Sequence, residues 1–190
     1  MPRIPEQLRA RAREIRLVLM DVDGVLTDGR IYYVPRAQGG LLETKTFHSR
    51  DGLGIRLAHV SGLKTGIISG RGSPVVEQRV KELGIHFLEQ NALEKLAPYE
   101  KILRAANLRD EEVCYVGDDI VDLPVLKRVG LAVGVGSGHP YLRRHVHYWT
   151  RQAGGAGAVR EAIELILAAQ GKWDAILKGY LRGTFSLSKK

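Results

Sequence analysis

The chain has 190 residues, 44% hydrophobic and 26% charged, enough apolar material for one packed domain and too much for wholesale disorder. No run approaches the roughly 18 apolar residues of a membrane span, and the single cysteine, Cys114, excludes an internal disulfide and fits a reducing cytoplasm. The formal charge of +8 invites a nucleic-acid partner, but residues 1–16 contribute +3 and residues 171–190 contribute +4, so the body between them is nearly neutral.

In chain order, residues 1–16 form a basic segment whose five arginines decorate an exposed helix; without an apolar block it is not a secretory signal. A single domain is expected over 17–170, with 171–190 as a tail. Leu17 to Met20, Gly66 to Ile68, Val113 to Val116 and Leu131 to Val133 are short apolar runs that predict buried strands. Between them, periodic patterns predict helices over Leu53–Val60, Pro74–Leu83, Leu96–Ala106 and Ile120–Val129. Strands alternating with such helices indicate an α/β fold, a doubly wound parallel sheet. Ile31 to Val34 and Leu41 to Phe47, joined by Pro35 to Gly40, predict a β-hairpin at about 30–47 that projects from the sheet. A last amphipathic helix covers Ala158–Ala169, and the tail carries Trp173, Ile176, Leu177, Tyr180 and Leu181 at helical spacing before a polar end.

Ligands of a parallel α/β sheet bind outside the carboxyl ends of its strands. The first apolar run leads into Asp21-Val22-Asp23-Gly24-Val25-Leu26-Thr27, the second into Ser69-Gly70-Arg71, and the third into Gly117-Asp118-Asp119-Ile120-Val121-Asp122; Lys95 precedes a helix. Converging, these ends bring five aspartates, a lysine and a hydroxyl into one crevice. Carboxylates crowded this way raise one another's pKa, and a hard divalent cation such as Mg²⁺ relieves them. The same parts suit phosphoryl transfer: a carboxylate nucleophile, a second carboxylate two residues on to move protons, and Lys95 and Ser69 to hold phosphoryl oxygens.

Asp21-x-Asp23-Gly24-x-x-Thr27, Ser69, Lys95 and Gly117-Asp118-Asp119-x-x-Asp122 resemble, in order and strand placement, the four motifs of haloacid-dehalogenase-type phosphatases. The resemblance implies a Rossmann-like core, Asp21 as nucleophile and Asp23 as general acid/base. It implies Mg²⁺ held by Asp21, the Asp23 carbonyl and Asp118, with Asp119 and Asp122 supporting. Only 47 residues separate Asp21 from Ser69 and 25 separate Ser69 from Lys95, leaving no room for an inserted cap domain. A capless site accepts a large substrate or borrows its lid from a neighbouring subunit, and the hairpin is the candidate contact. Phe47-His48-Ser49-Arg50-Asp51-Gly52-Leu53-Gly54-Ile55-Arg56, Ile68-Ser69-Gly70-Arg71, Arg79, Lys95 and Gly154-Gly155-x-Gly157-Ala158-Val159-Arg160-Glu161 resemble a capless, homotetrameric branch. That branch hydrolyses 3-deoxy-D-manno-octulosonate 8-phosphate in lipopolysaccharide sugar synthesis. It implies substrate contacts at His48, Ser49, Arg50, Asp51, Gly52, Arg56, Arg71, Arg79 and Lys95; arginine forks suit a substrate that is both carboxylate and phosphate.

Three departures stand out: His48 replaces the branch's usual asparagine, the hairpin turn is longer, and Ala156 occupies the place of a tail arginine. A sister group acting on nine-carbon sialic-type 9-phosphates carries glutamate where this chain has Arg71, so Arg71 favours the eight-carbon substrate. Other classes are a regulatory module of a sugar-nucleotide enzyme, against which the intact acidic motifs argue, and a nucleic-acid binder, which the neutral body disfavours. Gly134-x-Gly136-x-Gly138 lacks the dinucleotide spacing. His145-x-His147 places two imidazoles on a strand face without a third ligand for zinc, and Cys114 reads as an inert core thiol.

Overall fold

Leu17-Val18-Leu19-Met20 forms β1 (Leu17–Met20), with every side chain buried. Val18 and Met20 enter one core and Leu17 and Leu19 the other, because successive side chains of a strand leave opposite faces. The structure, a computed structural model, describes residues 4–187. β1 pairs in parallel with β4 (Lys64–Ile68) on one side and β6 (Val113–Gly117) on the other. β5 (Phe87–Glu89) extends the first side, and β7 (Leu131–Gly134) and β8 (Tyr148–Trp149) the second, giving a six-stranded parallel sheet in the order β5-β4-β1-β6-β7-β8. The four central strands coincide with the four apolar runs. The two edge strands are three and two residues long and only partly buried, so no apolar run marks them. The chain winds outward one way from β1 and the other way from β6, so the switch point of the sheet lies between these two strands.

One face is covered by α1 (Glu6–Glu14), α2 (Ser49–Val60), α3 (Pro74–Leu83) and α6 (Ala158–Ala169), and the other by α4 (Leu96–Ala106) and the single turn α5 (Leu123–Leu126). Among the described residues, no helix is long and apolar enough to cross a membrane. The expected helix over Ile120–Val129 divides into a 3₁₀ turn, Ile120–Asp122, followed by α5. Pro124 is the cause: it has no N–H to donate to Ile120, so an unbroken helix cannot form there.

The terminal segments are less separate than their charge suggests. Ala12 and Ile15 lie in the core, and the arginines beside them have partners: Arg11 Nη1 donates to the Gly130 carbonyl (3.0 Å), Arg13 Nε to that of Ala169 (3.2 Å), and Arg16 pairs with Glu112 (3.1 Å). α7 (Trp173–Leu181) likewise buries Trp173 and Ile176 in the same core. The last stretch of the expected polar end, 188–190, lies outside the described residues. His145 and His147 do not share a strand face: β8 starts only at Tyr148, and His147 Nδ1 accepts from Ala132 N (2.9 Å). Cys114 is wholly buried on β6, and burial pushes its thiol pKa far up, which fits an inert thiol.

β2 (Tyr32–Pro35) and β3 (Leu41–Thr44) form the antiparallel hairpin, in the register Tyr32↔Thr44 and Val34↔Leu42, outside the main sheet. Its apolar side chains face solvent; Tyr33 is 56% and Leu41 63% exposed. From the hairpin the chain enters α2, whose first turn is locked to α6 by Asp51. Asp51 is buried; its Oδ1 accepts from Arg160 N (2.7 Å) and its Oδ2 from Gly157 N (3.2 Å), so it caps α6 from another helix. Asp51→Ala leaves both N–H groups unsatisfied in the interior and is expected to lower stability by about 2–3 kcal/mol. Urea unfolding measures this loss, and Asp51→Asn, which retains one acceptor, should lose less.

Candidate active site

Asp21 follows β1 and Asp118 follows β6, one on each side of the switch point. The parallel register that aligns Met20 with Val116 brings the two loops level. Between them stands Lys95, the residue that precedes α4. Its ammonium is 3.0 Å from Asp21 Oδ2 and 2.6 Å from Asp122 Oδ1, and its side chain is 1% exposed. Asp122 has no free oxygen. Oδ1 takes Lys95 and the hydroxyl of Tyr115 (2.8 Å), while Oδ2 accepts from Asp118 N (2.9 Å) and Asp119 N (3.2 Å). Asp122 thus fixes both the lysine and the Gly117-Asp118-Asp119 turn. Asp119 is exposed, and its Oδ1 caps the following 3₁₀ turn through Ile120 N (2.7 Å).

Asp21, Asp118 and Asp122 offer carboxylate oxygens all within 4.8 Å of one another. The electrostatic cost is visible in two of them. Burial, with the charge of Asp122 added, outweighs Lys95 and raises Asp21 to about 6. Burial, then Asp122 and Asp21, raise Asp118 to about 7. Burial pulls the Lys95 ammonium down, but the two carboxylates more than offset it and the net shift is upward. Asp118 Oδ1 is buried with no hydrogen-bond partner. A divalent cation fits this donor set: Asp21 and Asp118 have oxygens to give, Asp122 supports them, and hard oxygen ligands suit Mg²⁺.

Two close approaches shape the floor. A Cβ on Gly24 would lie 2.0 Å from Asp118 Oδ2, and φ at Gly24 is +92°, so only glycine leaves that carboxylate its place. Thr27 is buried; its Oγ1 donates to the Val22 carbonyl (3.2 Å) and closes the loop that carries Asp21 and Asp23. Ser69 is buried at the end of β4, its Oγ accepting from Arg71 N (3.3 Å). It does not cap α3; Ser73 occupies that position.

A family model described as haloacid dehalogenase-like hydrolase matches residues 53–130. The 3-deoxy-D-manno-octulosonate 8-phosphate phosphatase of Escherichia coli BL21-DE3 is 45% identical over 171 residues, covering 90% of this chain and 89% of the relative. This chain belongs to the haloacid dehalogenase-like hydrolases. Among solved structures, the phosphatase of that name from Yersinia pestis superposes with a TM-score of 0.85 at 44% identity, covering 90% of each chain. The one from Moraxella catarrhalis, a complex with magnesium, phosphate and the KDO sugar, gives 0.87 at 37% identity over 93% of this chain and 99% of that one.

Within this hydrolase the residues expected to contact substrate fall into separate groups. Arg71 reaches the hairpin, its Nη2 2.5 Å from Glu43 Oε2; that hydrogen bond is the main reason the Glu43 carboxyl is held below its usual range. His48 caps α2, its Nδ1 accepting from Arg50 N (3.1 Å). Exposed Ser49 and Arg50 follow, and Arg50 lines an open cavity of about 420 Å³ with Arg151, Ala156 and Arg160. Asp51 is committed to α6, as described. Gly52 lies under Arg79, where a Cβ would be 2.5 Å from Nη2. Arg79 in turn stacks over Phe47 and meets Arg56 at Glu82, between α2 and α3 rather than on the carboxylate cluster. Sequence reasoning missed Glu43, Lys45 and Tyr115. Lys45 is buried and its Nζ is 2.5 Å from Asp23 Oδ1 and 3.1 Å from Glu43 Oε1. The two-residue spacing of Glu43 and Lys45 was the available signal, but charged pairs on hairpins usually face water.

Asp118→Asn removes the carboxylate whose Oδ1 is buried without a partner and is expected to abolish Mg²⁺ binding in calorimetry. Asp122→Asn, which disturbs only the support, should weaken it about 10- to 100-fold.

Proposed function

We propose that the chain is a Mg²⁺-dependent phosphomonoesterase that converts 3-deoxy-D-manno-octulosonate 8-phosphate into the free sugar acid and phosphate through an aspartyl-phosphate. The observation that carries the chemistry is the buried Asp21–Lys95–Asp122 array beside the unpartnered Asp118 oxygen. The choice of substrate is supported by the relatives and by Arg71, an arginine at the mouth suited to a carboxylate.

Asp21, held by Val22 N at Oδ1 and by Lys95 at Oδ2, is the nucleophile. Its attack on phosphorus forms the Asp21–O–P bond and breaks the bond to the sugar oxygen, which takes a proton from Asp23. Asp23, now a carboxylate, accepts a proton from water; the resulting hydroxide attacks the phosphorus, releasing phosphate and restoring Asp21. Lys95 and Ser69 hold phosphoryl oxygens as charge spreads over them. Asp21, Asp118 and the Asp23 carbonyl would hold Mg²⁺, which when bound neutralises carboxylate and phosphate charge so that the two anions can meet. Asp119 caps its turn. The 48–52 segment, anchored by Asp51, presents His48, Ser49 and Arg50 to the sugar, with Gly52 giving room for Arg79, and Arg56 bracing the pair of helices.

The exposed hairpin supports a homotetramer in which hairpins and a neighbouring subunit close the capless site. The single buried thiol supports a cytoplasmic location, and no nucleic-acid or membrane partner is assigned.

Asp21→Asn is expected to cut kcat at least about a thousandfold with the melting temperature retained; chelation of Mg²⁺ should do the same reversibly. Full turnover in either case rules the mechanism out. In a steady-state comparison, kcat/KM should favour the eight-carbon 8-phosphate over a nine-carbon sialic-type 9-phosphate by about tenfold or more; the reverse order would reassign the substrate.

A further inference from the structure

The hairpin does more than project from the sheet. β3 places Glu43 on one side of its strand, and two residues on, just past its end, Lys45 leaves on the same side. Lys45 turns inward; its side chain is only 2% exposed although it stands on a segment whose apolar neighbours Leu41 and Leu42 face water. An ammonium is not buried on an exposed hairpin without partners, and this one has two: Asp23 Oδ1 at 2.5 Å and Glu43 Oε1 at 3.1 Å. Glu43 continues the series to Arg71, 2.5 Å from its Oε2. The alternating row Asp23–Lys45–Glu43–Arg71 therefore runs from the proton-transfer carboxylate to the arginine at the mouth of the site.

We infer that Lys45 is a positioning residue for Asp23: by holding Oδ1 it turns Oδ2 toward the leaving oxygen, and Glu43 sets Lys45 and Arg71 at once. The inference rests on the reading of Asp23 as general acid/base proposed above. A carboxyl on a loop rotates freely about its own side chain, and general acid catalysis requires it within hydrogen-bond reach of one oxygen. Asp21 has Val22 N and Lys95 to fix it; for Asp23 the fixing group comes from the hairpin. The pairing also explains why a hairpin without a place in the main sheet is built into the site. Any displacement of β3 moves Lys45, and Asp23 with it.

The test uses leaving groups, since loss of an aligned acid matters only where the departing oxygen needs a proton. For Lys45→Met, kcat/KM on 3-deoxy-D-manno-octulosonate 8-phosphate is expected to fall about 10- to 100-fold. On p-nitrophenyl phosphate, whose leaving group departs unprotonated, it should fall less than about threefold. Mg²⁺ affinity by calorimetry should stay within about threefold of the parent. Lys45→Gln, which keeps a donor near Asp23, gives an intermediate loss and serves if the methionine variant does not fold. Equal losses on both substrates, or a fall in Mg²⁺ affinity matching the fall in rate, would overturn the positioning role. Asp23→Asn separates this failure from that of the reading beneath it. If Asp23→Asn shows the leaving-group pattern and the Lys45 variants do not, only the inference fails. If Asp23→Asn spares both substrates equally, Asp23 is not the acid and both fall.

Discussion

Like charges gathered at the carboxyl ends of the central strands set the terms for everything else in this protein. The doubly wound sheet brings Asp21 and Asp118 together at the switch point between β1 and β6, and Asp122 follows within one turn. Burial, with the charges of neighbouring carboxylates added, raises Asp21 and Asp118 well above the ordinary carboxylate range. The chain supplies a single buried ammonium among them. Lys95 pairs with both Asp21 and Asp122, and Asp118 is left with a buried oxygen without a partner, which an added cation would satisfy. Metal requirement and affinity for a phosphate thus follow from one arrangement of charge.

The same constraint governs the geometry around it. Asp122 has both oxygens occupied, so it orients the turn rather than competing for the metal. Tyr115 donates to it from inside β6, a polar group that the core tolerates because the acceptor is there. Asp23 lies outside this inner group, and its cation comes from the hairpin. Two layers of ion pairing result: an inner one anchored in the sheet and an outer one that depends on where the hairpin sits.

How much of this was legible in the sequence follows from how local each signal is. Leu17–Met20 and the other three central strands announce themselves because burial on both faces demands unbroken apolar runs. β5 and β8 at the edges carry no such demand, and neither produced a clear pattern. Asp21, Asp23 and Asp118 were readable because they follow apolar runs that the fold brings together, and Lys95 because of its place in the order of the motifs. Lys45 and Glu43 were not, since the sequence shows only two charges on a hairpin and nothing of the loop into which they fold. Asp51 shows the same limit. It sits inside a stretch resembling a substrate-binding segment, yet its oxygens are spent on the start of α6, a contact between residues more than a hundred positions apart.

That contact bears on the position where this chain departs most from the expected pattern. Gly154 and Gly155 pass so close to the loop after Asp23 that a Cβ on the first would lie 1.7 Å from the Gly24 carbonyl. Gly155 N donates to the Val25 carbonyl (2.9 Å), and Asp51 holds Gly157 N from the other side. The backbone on both sides of Ala156 is therefore fixed by these neighbours. What Ala156 removes is a guanidinium and its stem. Arg50, Arg151 and Arg160 line the same cavity, but Arg151 is paired with Glu161 and Arg160 with Glu164. Arg50 is then the guanidinium in that cavity with no carboxylate among the ion pairs of the described residues. Arg50 stands one residue from the Asp51 that pins the whole segment to α6.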